Sequence, residues 1–397
     1  MTHLSNRINQ LSESQTIAMA RRSRELIAQG VDIISLSLGE PDFKTPDEIK
    51  QAAHRAIDED FSYYTHVSGY LELRQAIAEK FKRDNGVIYT ADQIVVSTGA
   101  KQSIANAVLS LINPGDEVIV PTPFWVSYLE ILKLAEGVPV TIDAGIENNF
   151  KVTPAQIEAA ITPKTRMLIF STPCNPTGSV YSKAELKAIA EVVAKYPELY
   201  IISDEIYEHI NFVGGHESMA QFDFIYDRVI TINGVSKGFA MTGWRGGIMA
   251  APLWIAKACD KMQGQFTSAT SSITQKAMHA AMLMDPRKIE PLRDAFLRRR
   301  DLILKHLGEI PGLKLNVPDG AFYVYPEVSA YFGKSCDGTT INNATDLSMF
   351  LLDKAHVAIV PGAAFGEDTY VRLSYATSDD RLIDAARRMK EALALLK

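Results

Sequence analysis

The sequence predicts an α/β protein. It reads as a large domain with a mostly parallel, seven-stranded sheet between helices, plus a smaller α+β domain. Three observations carry this. From about residue 45 to 288, short apolar, β-rich runs alternate with stretches of helical periodicity. The runs are apolar along their length, the pattern of a sheet buried on both faces. Beyond Leu313 the texture changes to strands and helices without that alternation, and 397 residues exceed what one core usually supports.

In chain order the strands are expected at Gln93–Val96, Glu117–Val120, Val138–Ile142, Arg166–Phe170, Leu199–Ser203, Arg228–Ile232 and Gly246–Ala250. Helices are expected at Leu71–Asp84, Lys101–Leu111, Lys183–Lys195 and Leu253–Gln263, with Asn113-Pro114-Gly115-Asp116 as a turn. Lys288–Leu307 reads as one long helix whose Arg298-Arg299-Arg300 run forms a solvated or interface face. The later strands are Phe322–Tyr325, Ala358–Val360 and Val371–Tyr375, and the later helices Asp346–Lys354 and Asp380–Leu396. Periodicity leaves residues 1–44 open to either domain. The division adopted is 45–288 for the large domain and 1–44 with 289–397 for the small one.

The formal net charge of −6 carries no basic stripe, which argues against a nucleic-acid binder. No apolar stretch is long enough to span a bilayer, and the first residues lack an apolar signal core. Cys174, Cys259 and Cys336 match neither a zinc spacing nor a disulfide framework, so a cytoplasmic setting and no metal site are expected. Gly333-Lys334-Ser335 lacks the upstream glycine of a nucleotide loop, and Asn343-Ala344-Thr345 is an idle glycosylation pattern without secretion. Cys174 is expected to be a small buried thiol.

In open α/β sheets, ligands bind outside the carboxyl ends of the strands. Those ends carry Ser97-Thr98-Gly99-Ala100-Lys101, Pro121-Thr122-Pro123-Phe124-Trp125, Cys174-Asn175-Pro176, Ser203-Asp204-Glu205-Ile206-Tyr207, Ser236-Lys237 and Gly243-Trp244-Arg245. Each alone reads as a cap, a turn or a core residue. Together they offer one crevice a helix N-terminus for phosphate, an aromatic plate, an amide, a carboxylate, a phenol, an amine and a guanidinium. That set suits an aromatic, phosphorylated, electrophilic cofactor such as pyridoxal 5'-phosphate.

The chain resembles the class I (fold-type I) pyridoxal-phosphate aminotransferases, and within them the bacterial aspartate/prephenate aminotransferase branch. The matching strings are Gly39-Glu40-Pro41-Asp42-Phe43, Gly69 with Leu73-Arg74, Asn175-Pro176-Thr177-Gly178, Ser203 to Tyr207, Ser236-Lys237 with Met241 to Arg245, Gly320-Ala321-Phe322-Tyr323 and Val371-Arg372-Leu373-Ser374. They keep the family's order over nearly the whole chain.

The resemblance implies a catalytic set of Lys237, Asp204 and Tyr207. Lys237 would hold the cofactor as a Schiff base and later shuttle a proton, and Asp204 would pair with the ring nitrogen. Asn175 and Tyr207 would bond the ring's 3-oxygen, and Trp125 would stack on the ring. Gly99, Ala100 and Lys101 would present backbone N–H groups to the phosphate, with Ser236 and Arg245 completing the cup. Tyr64 would reach the phosphate of a neighbouring subunit, implying a homodimer with shared sites. Arg372 would clamp the substrate α-carboxylate, with Gly39, Trp125 and Asn175 beside it. The Lys101 side chain and Thr16, with Ser14 near, would read a distal carboxylate. The reaction implied is amino exchange between an acidic amino acid, aspartate first, and 2-oxoglutarate. The rivals are a prephenate or aromatic aminotransferase, a carbon–sulfur β-lyase on the same fold, and a pyridoxal-phosphate-binding regulator. The last normally carries a basic N-terminal DNA-binding domain, for which residues 1–44 have no signature.

Overall fold

The computed structural model describes residues 3–13 and 15–397, and the side chains of residues 15 and 16 are not among those described. Seven strands form the central sheet: β1 (Ile94–Thr98), β2 (Glu117–Thr122), β3 (Val138–Asp143), β4 (Thr165–Ser171), β5 (Tyr200–Asp204), β6 (Val229–Gly234) and β7 (Gly246–Ala250). Their spatial order is β1-β7-β6-β5-β4-β2-β3. All seven lie where the apolar runs predict them.

The strands are apolar throughout because successive residues enter different cores. Val96, Ile119, Leu168, Ile201 and Ile248 face one core, with the helices Leu71–Lys80, Lys183–Ala194 and Ser272–Leu283. Val95, Val120, Ile169, Ile202 and Met249 face the other, with the helices Ala100–Leu111, Ser127–Leu134 and Leu253–Phe266. The side-chain period of two sends each neighbour to the opposite face.

The neighbours from β6 to β3 pair in parallel, while β7 is antiparallel to both β1 and β6. A parallel return needs a crossover of a dozen or more residues, usually a helix. Between Gly234 and Gly246 the chain makes only tight turns and the 3-10 turn Thr242–Trp244, so it returns as an antiparallel neighbour. The start of β7, rather than its end, therefore lies at the carboxyl edge of the sheet. That places Arg245 there, just before the strand, with Gly246 opposite Thr98.

The later part of the chain builds a three-stranded antiparallel sheet with Val371–Ser374 in the centre, between Tyr323–Val324 and Val360–Pro361. The run expected as one strand, Ala358–Val360, is divided. Val357–Ala358 pairs in parallel with Ile34–Ser35, and Val360–Pro361 joins the three-stranded sheet. The helices Glu290–Leu307, Ala344–Ala355 and Asp379–Leu393 cover these strands around a core that includes Phe296, Phe322 and Tyr375. Ile34 and Leu36 enter this same core.

Two other expectations change. The helix read as Leu71–Asp84 is α-helical to Lys80 and continues as a π-helix from Phe81 to Asn85, closed by Gly86 at φ +67°. The Arg298-Arg299-Arg300 run is not uniformly solvated. Arg298 is exposed, but Arg299 is 8% exposed, donates to both carboxylate oxygens of Asp42 at 2.6 and 2.9 Å, and lies over the Phe43 ring. A bidentate pair is what makes burial of that guanidinium tolerable. Among the described residues, no helix is long and apolar enough to cross a membrane.

Candidate active site

One cavity of about 450 Å³ opens at the carboxyl edge of the sheet, against the three-stranded sheet. The expected cofactor ligands Ala100, Lys101, Trp125, Asn175, Asp204, Tyr207, Ser236, Lys237 and Arg245 all line it, as do the expected substrate ligands Gly39 and Arg372. Two expected residues, Gly99 and Tyr64, are not on its wall. Gly99 sits just behind, as the N-cap of the helix Ala100–Leu111. Tyr64 is 97% exposed and away from the cavity of its own chain. The side chain of Thr16, like Ser14, lies outside the described residues, although the next residue, Ile17, lines the cavity.

Each group has a physical setting. Lys237 is half-buried, and its amine donates to the Gly39 carbonyl. Burial, reinforced by the Arg372 and Arg245 guanidinium groups, pulls its ammonium down to about 8, against the opposing pull of Glu40 and Asp204. Asp204 ends β5. Burial pushes its carboxyl up to about 6, despite the hydrogen bond from Tyr128. The Tyr128 hydroxyl donates to Asp204 Oδ2 at 2.7 Å and the Ile206 N–H to Oδ1 at 3.3 Å. A carboxylate so placed favours a cation next to it.

Arg372 is 2% exposed. It donates to the Asn175 side-chain oxygen at 2.9 Å and the Ser37 carbonyl at 2.6 Å, and its Nε has no partner. Its guanidinium lies 4.5 Å from the Tyr323 ring centroid and 4.9 Å from that of Phe365. A buried fork with a free donor is built to meet a planar anion. Lys101 reaches over Trp125, 5.2 Å from the ring centroid, and burial with the nearby Arg245 charge lowers its ammonium.

The residues fit pyridoxal phosphate. The N–H groups of Gln102 and Ser103 bond the Gly99 carbonyl, which leaves those of Ala100 and Lys101, at the head of the helix Ala100–Leu111, on the same cavity wall as Arg245 and Ser236, a cradle for a dianion. Gly99 has φ +85°, and a Cβ there would stand 2.2 Å from Arg245 Nη2. Gly99→Ala is therefore expected to weaken cofactor binding by about tenfold or more, through backbone strain and displacement of Arg245. Equilibrium dialysis of the cofactor checks this, with circular dichroism as the control for folding.

Among the wall residues that sequence reasoning missed are Tyr128, Tyr323 and Glu40. Tyr128 lies one turn beyond Trp125 and was legible only as a spacing of three from an aromatic already chosen. Tyr323 and Glu40 stand inside motif strings but had no role. Glu40 accepts a hydrogen bond from Thr242, joining the segment before residue 45 to the loop that carries Lys237.

A model of the aminotransferase class I and II family matches residues 31–389. A protein of Petunia hybrida described as a bifunctional aspartate aminotransferase and glutamate/aspartate-prephenate aminotransferase is 47% identical over 399 residues, covering 99% of this chain and 83% of the relative. An aspartate/prephenate aminotransferase of Cereibacter sphaeroides is 46% identical over 400 residues, covering 98% of each. The crystal structure of the aspartate aminotransferase from Rhizobium meliloti superposes with a TM-score of 0.96 at 40% identity, covering 100% of both chains. The chain belongs to the class I and II aminotransferase family. It is a pyridoxal-phosphate-dependent enzyme that transfers amino groups between amino acids and keto acids.

Proposed function

We propose that this aminotransferase exchanges the amino group between an acidic L-amino acid, aspartate first, and 2-oxoglutarate by a ping-pong mechanism, as a cytoplasmic homodimer. The observation that carries the acidic preference is a second cation, Lys101, on the wall of the cavity that also holds Arg372. Two carboxylates on one substrate then meet two cationic groups. The names of the relatives support the same donor.

In this reading residues 45–288 hold the cofactor, and 1–44 with 289–397 close over the substrate. The backbone of Gly99, Ala100 and Lys101 holds the phosphate with Ser236 and Arg245. Trp125 covers the ring, Asp204 holds the proton of the ring nitrogen, and Asn175 and Tyr207 donate to the ring oxygen. Tyr64 of the partner subunit completes the phosphate site, for which its exposure leaves it available. Bound there, the cofactor supplies an electrophilic carbonyl and an electron sink. Lys237, neutral for part of its time near neutral pH, would take the proton from the substrate α-carbon and hold it on its amine. Arg372 and the Gly39 backbone fix the α-carboxylate so that the bond to be broken faces Lys237. Prephenate is a second acceptor in this reading, because Ile17 and Leu38 give one wall an apolar stretch that suits a ring.

The test presents aspartate, glutamate, phenylalanine, arogenate and cystathionine singly to the loaded enzyme and follows the cofactor spectrum and the keto acid formed. Amino transfer from aspartate and glutamate at least tenfold faster than from phenylalanine is expected. Lys101→Ala should remove that preference by raising KM for the dicarboxylic donors about tenfold, leaving phenylalanine unchanged. Release of pyruvate and ammonia would mark a lyase instead.

A further inference from the structure

Two phenols meet at the back of the cavity. Tyr207 Oη and Tyr323 Oη are 2.7 Å apart, and both residues are buried. Tyr207 comes from the turn after β5. Tyr323 comes from the strand Tyr323–Val324, whose partner strand Val371–Ser374 carries Arg372. The Tyr323 ring lies against the Arg372 guanidinium, at 4.5 Å. Its hydroxyl also occupies the space beside Gly39, where a Cβ would stand 2.4 Å from Tyr323 Oη. One side chain thus touches the phenol of the large sheet, the carboxylate clamp, and the backbone residue whose carbonyl receives the Lys237 amine.

Proton counting then gives the contact a direction. Each phenol has one O–H. In the function proposed above, on which this inference rests, Tyr207 donates to the cofactor's ring oxygen. Its hydrogen is then not available to Tyr323, so the 2.7 Å contact requires Tyr323 to donate and Tyr207 to accept. A hydroxyl that accepts a hydrogen bond is polarised and donates more strongly. We propose that Tyr323 is a positioning residue with two functions: its hydroxyl orients and strengthens the Tyr207 donor, and its ring holds the Arg372 fork flat for the substrate carboxylate.

The charged groups around the pair are Arg372 and Lys237 on the cationic side and Asp204 and Glu40 on the anionic side. Among the described residues none of them hydrogen-bonds either hydroxyl. Lys237 stands 5.7 Å from the Tyr207 ring centroid. Burial raises both phenols above their ordinary range, so each keeps its proton at working pH.

Tyr323→Phe removes the O–H and keeps the ring, while Tyr323→Leu removes both. The readouts are the pH midpoint of the bound cofactor's absorbance change, and KM and kcat with aspartate. Weaker donation from Tyr207 leaves more negative charge on the ring oxygen, and the neighbouring basic nitrogen then holds its proton to higher pH. Tyr323→Phe is expected to raise the midpoint by about half a pH unit and to lower kcat several-fold, with KM within about twofold of wild type. Tyr323→Leu should add a rise in KM of about tenfold. An unmoved midpoint in Tyr323→Phe, in a protein whose Tyr207→Phe variant does shift it, overturns the hydroxyl function. A Tyr323→Leu variant with the KM of Tyr323→Phe overturns the ring function. If Tyr207→Phe itself leaves the midpoint in place, the placement of Tyr207 under the proposed function fails and this inference falls with it. Absence of any cofactor-dependent absorbance in the wild type would instead defeat that function as a whole.

Discussion

Lys237→Ala is expected to abolish covalent attachment of the cofactor and to lower kcat by at least about 10⁴-fold, since both a nucleophile and a proton carrier are lost. Borohydride treatment of wild-type protein should fix the cofactor to the peptide containing Lys237, and mass spectrometry of the variant should find no such adduct. An adduct on another lysine would mean that a different amine carries the cofactor. The reaction should also report the local field. Only the neutral amine attacks a carbonyl. With the ammonium held down to about 8, roughly a quarter of Lys237 is neutral at pH 7.5, against about one part in a thousand for an ordinary lysine. Capture of an aldehyde by the cofactor-free protein should therefore rise with pH up to about 8 and then level off. A rate that keeps rising past pH 10 would show that burial and the two guanidinium groups leave the amine unperturbed.

Arg372→Ala should lower kcat/KM by about 10²–10³-fold, as expected for losing a buried, charge-assisted contact. The loss should be the same for aspartate, glutamate and phenylalanine, because every amino acid presents the same α-carboxylate. A loss confined to the dicarboxylic donors would move Arg372 to the distal carboxylate. Arg372→Lys should recover little. An ammonium cannot hold Ser37, Asn175 and a carboxylate in one plane, nor lie flat on the Tyr323 ring as the fork does.

Much of this was legible in the sequence for a simple reason. A strand buried on both faces declares itself by an apolar run, and a ligand site in such a sheet lies in the few residues just beyond each run. Asn175, Asp204 and Lys237 were readable because each sits within a short reach of a strand end. The direction of β7 was not readable, because Gly246–Ala250 has the same apolar run whichever way it points. Tyr128 and Tyr323 were missed because their importance is a contact between elements far apart in sequence: Tyr128 with Asp204, Tyr323 with Tyr207. Arg299 misled because a charge run looks the same solvated or half-buried. Only the position of Asp42, more than two hundred residues earlier, decides which of the three goes inside.

The pairing of Ile34–Ser35 with Val357–Ala358 has a bearing on how the chain comes to be folded during synthesis. The strands of the seven-stranded sheet run from Ile94 to Ala250 and the helices that cover its faces extend to Leu283, so it can assemble once that stretch has left the ribosome. Ile34 and Leu36 cannot reach their own core until about 320 further residues have been made, roughly 16–65 s at ordinary elongation rates. For that interval an apolar segment near the start of the chain has no partner. Once Leu283 has been made, the nascent protein is a covered sheet with an uncovered strand at Ile34–Ser35, a state in which a chaperone has something to hold.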